Sequence, residues 1–269
     1  MKKSELSKEI INKVIYNYTV LRQGQKTAGK EFGFSDKRVK KILQDNNIHI
    51  RTLREANQSC YKIDTQFFFK ESENLAYLLG LIASDGNIHS TENRIEIELQ
   101  NSDGELLEKI RKIIKLERPI KYYECNNGYK KSKLYFYSKE IKDKLATYNI
   151  VSQKTYSEKF DFPFVLNKKY WIDYIRGLFD GDGSIKNNGS ITFQIDCTKL
   201  NILKTIQNFL LTECDIETSI TSEKKVNTIL YRLYCHGKEK NKKIYNILYF
   251  NKELYLKRKK EKFEELLNE

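Results

Sequence analysis

Two aspartate-glycine pairs are the groups in this sequence that could do chemistry together. Asp85-Gly86 and Asp182-Gly183 each end a hydrophobic run of helical character, LLGLIASDG in the first case and IRGLFDGDG in the second. A carboxylate at a helix C-terminus opposes the helix dipole, at a cost of roughly 0.3–1 kcal/mol. Because this unfavourable choice is made twice, it indicates a compensating cation, and carboxylate oxygens suit Mg²⁺ or Ca²⁺. Metal-assisted hydrolysis of a phosphodiester is the chemistry that such a site predicts.

Two simpler readings of these pairs are weaker. One Asp-Gly pair alone would be read as a turn, but two unrelated turns do not explain a matched pair followed by matched strands. An EF-hand loop beginning at Asp180 is excluded, because Ile185 stands at its required glycine and Ile191 at its terminal glutamate.

The composition predicts a polyanionic partner. The 269 residues include 49 Lys and Arg against 36 Asp and Glu, which leaves a net charge of +13 and a pI near 9.3. Such an excess points first to nucleic acid. Five dispersed cysteines without a CxxC pair argue against a disulfide framework or a zinc ribbon, and three isolated histidines argue against a His-based zinc site or a Ser-His-Asp triad.

The same sequence carries no sign of a membrane or an export route. No apolar run approaches the ~18 residues needed to cross a bilayer, and the lysine-rich N-terminus lacks the apolar core of a secretory signal. We therefore expect a cytoplasmic protein, bacterial or phage-encoded, or an organellar one, that is not secreted.

The first 57 residues predict a helix-turn-helix domain. A first helix should start near Ser4 or Ser7, and Ser35 should cap a second helix that runs to about Gln44 after a turn at Gly33. The segment holds 13 Lys and Arg against 6 Asp and Glu, so it carries +7 of the net +13. A small helical bundle with a solvated basic face is the alternative. The residues expected to face DNA from the second helix are Lys37, Arg38, Lys40 and Lys41.

The rest of the chain reads as two copies of one unit, each about 100 residues long. In both copies a helical run leads to the Asp-Gly pair, an alternating strand follows, and an amphipathic helix comes next. A connector around Pro163 separates the copies, so the predicted domains are 58–160 and 161–269. The predicted strands are 94–100, 120–124, 134–138, 190–196, 218–221 and 229–235.

Glycines inside the two hydrophobic runs predict that the helices touch. A glycine costs about 0.5–1 kcal/mol inside a helix, and close backbone approach is the natural compensation at Gly80 and Gly177. Gly86 and Gly183 suit left-handed helix ends. Packing of this kind would bring the two helix ends, and with them the two aspartates, together.

Both runs resemble the LAGLIDADG motif, and the chain from about residue 60 onward resembles a two-repeat, monomeric LAGLIDADG homing endonuclease. The resemblance implies an α+β fold of two pseudo-symmetric αββαββα repeats, with the motif helices at their interface and two antiparallel sheets forming a saddle over DNA. Ala83 departs from the motif at the position where Asp180 keeps its aspartate, and Arg176 occupies a usually small position.

The resemblance also implies the reaction. Asp85 and Asp182 would bind divalent metals beside the scissile phosphates, with Mg²⁺ as the cofactor and Ca²⁺ or Mn²⁺ as substitutes. Cleavage would cross the minor groove and leave 3′ overhangs. When the repeats are aligned from their following helices, Glu98 and Gln194 are equivalent, and similar proteins place a Gln or Glu there near the metals.

One lysine per repeat is implied near the active site. Lys154 and Lys257 fall at the same offset from two Glu-Lys-Phe sequences, and such a lysine would stabilise the transition state or polarise the attacking water. Lys259 is an equal alternative in the second repeat, as is a solvated C-terminal helix.

Polar residues on the strands would meet DNA, although a solvated sheet face is the alternative for each of them. The candidates for base contacts are Arg94, Glu96, Glu98, Gln100, Ser190, Thr192, Gln194 and Asp196. The candidates for phosphate contacts include Lys121, Lys133 and Arg232.

The sequence as a whole predicts a monomeric, site-specific double-strand DNA endonuclease with a long, specific target. A DNA-binding transcription regulator of the same fold without catalysis is one alternative, and the presence of both carboxylates argues against it. An RNA-binding maturase that acts on an intron is another, and it stays open.

Overall fold

The computed structural model describes residues 7–21, 23–52, 55, 61–126 and 128–268. The chain divides into two compact units, residues 1–62 and 63–269. Ser4, one of the two predicted helix starts, and Cys60, one of the five cysteines, lie outside the described residues. None of the described helices combines the length and the apolar character that crossing a bilayer would require.

The first unit is helical, as predicted. Its helices are α1 (Lys8–Thr19), α2 (Gln25–Ala28) and α3 (Asp36–Asp45), with a 3-10 turn at Lys30–Phe32. The Ser7 hydroxyl accepts a hydrogen bond from the Ile10 amide and caps α1. Ser35 caps α3 in the same way, and Gly33, with a φ of 64°, makes the left-handed turn before it. The four basic candidates of α3 are all exposed, whereas Val39, Ile42 and Leu43 are buried.

The second unit contains both αββαββα repeats. The elements of the first repeat are α4 (Glu73–Asp85), β1 (Gly86–Ile88), β2 (Arg94–Gln100), α5 (Gly104–Ile113), β3 (Lys121–Glu124), β4 (Lys130–Tyr137) and α6 (Lys139–Thr147). Those of the second are α7 (Trp171–Asp182), β5 (Gly183–Asn187), β6 (Ile191–Cys197), α8 (Leu200–Cys214), β7 (Ser219–Lys224), β8 (Ile229–His236) and α9 (Lys238–Tyr249). A further helix, α10 (Lys257–Asn268), follows.

Each repeat builds one four-stranded antiparallel sheet. The strand orders are β1-β2-β4-β3 and β5-β6-β8-β7, so the repeats have the same topology. Alternation along the central strands determines which face is buried: Ile95 and Ile97 in β2, like Phe193 and Ile195 in β6, lie in one hydrophobic core that spans both repeats. The predicted α+β fold is therefore confirmed, and the opposite, polar faces of the sheets are left open.

The motif helices α4 and α7 touch backbone to backbone. A β-carbon placed on Gly80 would lie 2.1 Å from the Tyr174 carbonyl oxygen, and one placed on Gly177 would lie 2.1 Å from the Tyr77 carbonyl oxygen. No side chain fits in either place, so the predicted reason for these two glycines is correct.

The expectation of left-handed helix ends at Gly86 and Gly183 is wrong. Both residues have a φ of −82° and an extended ψ, because each begins a strand directly after its helix. These glycines are needed for space: a β-carbon on Gly86 would lie 2.6 Å from Ile82 Cα, and one on Gly183 would lie 2.5 Å from the Phe179 carbonyl oxygen. The strand can turn back over the last helical turn only without a side chain at this point.

Replacement of Gly80 by alanine should push the motif helices apart. Because the neighbours of the added methyl group are backbone atoms that cannot rotate away, we expect the free energy of unfolding to fall by ~3 kcal/mol. Gly104→Ala is the matched control. Gly104 has helical φ and ψ, and its close neighbours are side-chain atoms of Tyr122, which is half exposed and can move. Urea unfolding that gives equal losses for the two variants would contradict this account.

Candidate active site at the paired helix ends

Asp85 and Asp182 are the last residues of α4 and α7, and the helix packing brings these two ends together. A β-carbon on Gly181 would lie 1.9 Å from Ser84 Oγ and 3.1 Å from Asp85 Oδ2. The Asp85 carboxylate therefore lies against the end of the other motif helix. The site consists of one acid from each repeat at a crossing where only small residues fit.

The pKa values of both aspartates are raised at this crossing. Partial burial and, to a smaller extent, the negative charge of Asp85 together raise the pKa of Asp182 to about 6. The pKa of Asp85 is also raised by dehydration. Lys154 and Lys259 oppose both shifts, so each lysine acts on both acids. Two acids whose charged forms are disfavoured form a place where a bound cation is favoured.

Lys154 closes the end of α4. Its ammonium group donates hydrogen bonds to the carbonyl oxygens of Ile82 at 3.2 Å and Gly86 at 2.9 Å, and to that of Ser84. Burial lowers the pKa of Lys154, while the charges of Asp182 and Asp85 oppose this shift.

Lys259 closes the end of α7 in the same way. Its ammonium group donates to the carbonyl oxygens of Phe179 at 2.6 Å, Gly181 at 2.8 Å and Gly183 at 2.7 Å. Burial lowers the pKa of Lys259 to about 8. The three acceptors occupy the positions of the second repeat that correspond to the acceptors of Lys154 in the first.

Lys259, and not the predicted Lys257, is therefore the counterpart of Lys154. Lys257 is exposed, lies 3.7 Å from Glu261 and belongs to the rim of a neighbouring pocket. An ammonium group has three N–H donors, and in Lys154 and Lys259 all three point to backbone carbonyls. These lysines hold the helix ends and contribute positive charge, with no donor left over for a water molecule or a phosphate.

The expected equivalence of Glu98 and Gln194 is wrong. Gly86 pairs with Ile97 across the first sheet and Gly183 with Ile195 across the second, so the counterpart of Glu98 is Asp196. A 3-10 turn at Asn101–Asp103 lengthens the first repeat between strand and helix. An alignment that starts from the helices therefore slips by two residues on the strands.

Glu98 and Asp196 occupy matching places beside basic residues. Glu98 lies opposite Lys133 and accepts hydrogen bonds from Lys131 at 2.6 Å and Lys133 at 2.8 Å. Against the effect of partial burial, these bonds lower its pKa to about 2. Asp196 lies opposite Arg232, 3.6 Å away.

Gln194 and Asp196 lie close to the second aspartate. Gln194 donates to Asp196 at 2.7 Å, and the charge of Asp196 contributes to the raised pKa of Asp182. A pocket of about 270 Å³ beside these groups is lined by Asp182, Asp196, Lys154, Cys197 and Thr198, among others.

The sequence analysis missed an ion pair that acts on Asp85. The Arg258 guanidinium lies 2.9 Å from the buried carboxylate of Asp103, and the charges of both residues act on Asp85. In the sequence, Asp103 directly precedes a helix, and Arg258 is one member of a basic run. The sequence feature that could have indicated this ion pair is the longer connection between β2 and α5.

Arg176, which departs from the motif, and Asp180, which keeps it, both have structural roles in the core. Arg176 is buried, pairs with Asp173 at 2.5 Å and donates to the Leu254 carbonyl at 3.0 Å. Asp180 is buried as well and accepts hydrogen bonds from the hydroxyls of Tyr77 and Tyr249 and from the Leu256 amide. Both residues tie α7 to the segment that leads into Lys259.

The remaining strand candidates line the polar faces of the sheets, and several are paired within the protein. Glu96 lies in a network with Arg94 at 3.4 Å and Lys133 at 3.6 Å, Thr192 bonds to His236, and Arg232 also pairs with Glu223. The candidates with exposed side chains are Gln100, Lys121 and Ser190.

The aspartate pair is suited to a divalent cation that the substrate helps to bind. Among the described residues, no group of three or more His, Cys, Asp or Glu side chains could hold a metal. Mg²⁺ is commonly held by one or two carboxylates together with substrate phosphates, and Asp85 and Asp182 provide that set. The donor chemistry of the site therefore fits Mg²⁺.

Replacement of Lys259 by methionine should affect both the helix end and the aspartates. Because three backbone carbonyls would lose a charged donor, we expect the free energy of unfolding to fall by ~2 kcal/mol. The pKa of Asp182 should rise above about 6 because an opposing charge is removed. Carboxyl NMR titration and urea unfolding measure these effects. Lys257→Met is the control, and equal effects of the two variants would refute the assignment.

Comparison with known proteins matches the repeats. Residues 72–158 and 172–257 each match the family model described as a LAGLIDADG-like domain. The uncharacterized protein MJ0314 of Methanocaldococcus jannaschii is 26% identical over 198 residues, which span 69% of this chain and 70% of that protein. The ribonucleoside-diphosphate reductase NrdEB subunit alpha of Bacillus subtilis is 27% identical over 169 residues, 56% of this chain but only 15% of the reductase.

A solved structure shares the fold. The homing endonuclease I-WcaI bound to its DNA recognition sequence aligns with a TM-score of 0.52 at 19% identity, over 70% of this chain and 85% of that one. At this identity the likeness concerns the fold alone. The two family matches lie one in each repeat and together span more than half of the chain, so the chain belongs to the LAGLIDADG-like domain family, as a member with two repeats.

Proposed function

We propose that this protein is a site-specific double-strand DNA endonuclease that hydrolyses one phosphodiester in each strand. The observation that carries the proposal is the meeting of Asp85 and Asp182, one from each repeat, at a helix crossing with space only for small residues. A protein that only binds DNA has no need for two adjacent acids with raised pKa values at this point. The net charge of +13 and the fold shared with DNA-bound I-WcaI support DNA as the substrate.

Divalent metal supplies the Lewis acid chemistry when it is bound, and Mg²⁺ is our proposed cofactor. Asp85 and Asp182 would hold it, and the positive charge of a bound cation would lower their raised pKa values. Lys154 and Lys259 keep the helix ends in place and add positive charge beside the phosphates. All N–H groups of the two ammonium groups already donate to backbone carbonyls. The lysines therefore stabilise the charged transition state through the electric field of their positive charge rather than by direct contact.

The two sheets give the substrate its orientation. Their polar faces are open, and antiparallel ribbons fit the major groove on either side of the helix crossing. The aspartates would then face the minor groove between the two half-sites, and a cut in each strand across this groove leaves 3′ overhangs. A monomer suffices, since both acids come from one chain.

The first unit extends the footprint in this proposal. Its helix α3 exposes four basic side chains, while its apolar side packs on α1 and α2. Contacts of such residues with phosphates add affinity and salt dependence but no chemistry.

Replacement of Asp85 or Asp182 by asparagine should abolish cleavage and preserve binding. Loss of one metal-binding carboxylate removes several kcal/mol of transition-state stabilisation, so we expect a rate loss of about a thousandfold or more. Single-turnover cleavage of a duplex selected from a randomised library, with Mg²⁺, measures the rate, and fluorescence anisotropy in Ca²⁺ measures binding.

Asp215→Asn is the control for this pair, since the Asp215 side chain is 95% exposed. Wild-type protein that binds a specific duplex but cuts neither strand in Mg²⁺ would favour a catalytically silent regulator of the same fold. Preference for structured intron RNA over duplex in competition would favour a maturase.

Simultaneous replacement of Lys37, Arg38, Lys40 and Lys41 by glutamine should weaken DNA binding. Each lost phosphate contact removes about 0.9 from the slope of log K against log salt concentration, so four contacts would remove up to ~3.6. Cleavage at saturating DNA should keep its rate. Titrations at several KCl concentrations test this, and an unchanged slope would show that α3 does not touch the DNA backbone.

A further inference from the structure

We propose that Lys142 is a positioning residue for sequence recognition, which holds the turn between β1 and β2 in a fixed shape for contact with DNA. This inference rests on the proposed function. The turn comprises residues 89–93, His-Ser-Thr-Glu-Asn, and joins the edge strand β1 of the first sheet to its neighbour β2. Ser90, Thr91 and Glu92 are exposed.

The turn is held through its backbone from helix α6. The Lys142 ammonium group donates to the carbonyl oxygens of His89 at 2.6 Å, Ser90 at 3.2 Å and Glu92 at 3.0 Å. The Ser138 amide donates to the Asn93 carbonyl at 2.9 Å. Four of the five carbonyls of the turn are thus bound to the start of one helix, while the hydroxyls of Ser90 and Thr91 stay at the surface.

The second repeat meets the same need with a different residue. Gly237 takes the place of Ser138, since its amide donates to the Ile191 carbonyl at the start of β6. Asn241 lies four residues later, as Lys142 does after Ser138. It is buried, and its amide donates to the carbonyls of Ile191, Cys235 and Gly237 at 2.8–3.1 Å.

The turn of the second repeat is shorter than that of the first, and this difference explains why Asn241 stands where the first repeat has Lys142. The turn of residues 188–190 in the second repeat is short and contains Gly189 at a φ of 81°, so its own backbone fixes its shape. The five-residue turn of the first repeat has more freedom to lose on binding. A lysine reaches far enough to bind three of its carbonyls, and a fixed turn pays less ordering entropy when it meets DNA.

The turn presents small polar side chains suited to base edges or phosphates. Serine and threonine hydroxyls both donate and accept, so their selectivity depends on where the backbone holds them. A mobile turn would still touch DNA, but it would accept several bases at the same position. Lys142 itself has its three donors on carbonyls and acts only through the turn.

The test compares Lys142→Met with Lys139→Met, which removes an exposed lysine from the start of the same helix. Hydrogen exchange of the full-length protein should become about tenfold faster at the amides of residues 90–93 in the first variant only. In a randomised-duplex cleavage assay the first variant should lose preference in one contiguous block of one half-site. Its rate on the best duplex at saturation should stay within about twofold.

Two further variants separate positioning from general stability. Ser90→Ala with Thr91→Ala should relax the same block, and addition of Lys142→Met should relax it no further, because both act through one turn. Lys142→Arg should restore part of the preference, since a guanidinium can donate to two carbonyls. Wild-type protein that fails to cut any duplex would refute the proposed function. Wild-type cleavage with identical preference profiles and exchange rates for wild type and Lys142→Met would refute the role of Lys142.

Discussion

The contact between the backbones of α4 and α7 is the constraint on which the rest of this molecule depends. Gly80 and Gly177 each lie where a methyl group would come within 2.1 Å of a carbonyl oxygen of the facing helix. The approach fixes the distance between the two repeats, and the helix ends that carry Asp85 and Asp182 have no freedom to separate. Geometry at the candidate active site is thus set by the core, which is more rigid than any loop.

This arrangement creates an electrostatic problem that the fold solves with lysines from the ends of the repeats. Two acids and two negative helix ends meet at the helix crossing, and each effect disfavours a carboxylate. Lys154 and Lys259 bind three carbonyls apiece at the ends of α4 and α7, so they neutralise the helix ends and partly offset the charge of the acids. The residual imbalance, visible in the pKa of Asp182 at about 6, is what a divalent cation would remove.

The strands, the helix starts and the contact between α4 and α7 could be predicted from the sequence, because each is specified by a local residue pattern. The alternation in β2 and β6, the capping serines of α1 and α3 and the glycines of the helix pair each reflect contacts whose residue type is restricted. Three expectations failed for reasons of geometry. Gly86 resembles a helix cap in the sequence because the strand that it begins is only three residues long, and the added turn misaligns Glu98. The sequence offers Lys257 with Lys259 as an equal alternative, because a run of basic residues contains no information about which one points inward.

The two halves of the site are related but unequal, and the inequality follows from the single-chain architecture. Asp182 has Asp196 and Gln194 as neighbours, whereas Asp85 has the pair of Asp103 with Arg258. Arg258 directly precedes Lys259, and the residue that directly precedes Lys154 is the uncharged Gln153. In a symmetric dimer such a difference is impossible, since one sequence serves both sites. Here the two repeats have different sequences, while the helix crossing that they share constrains both.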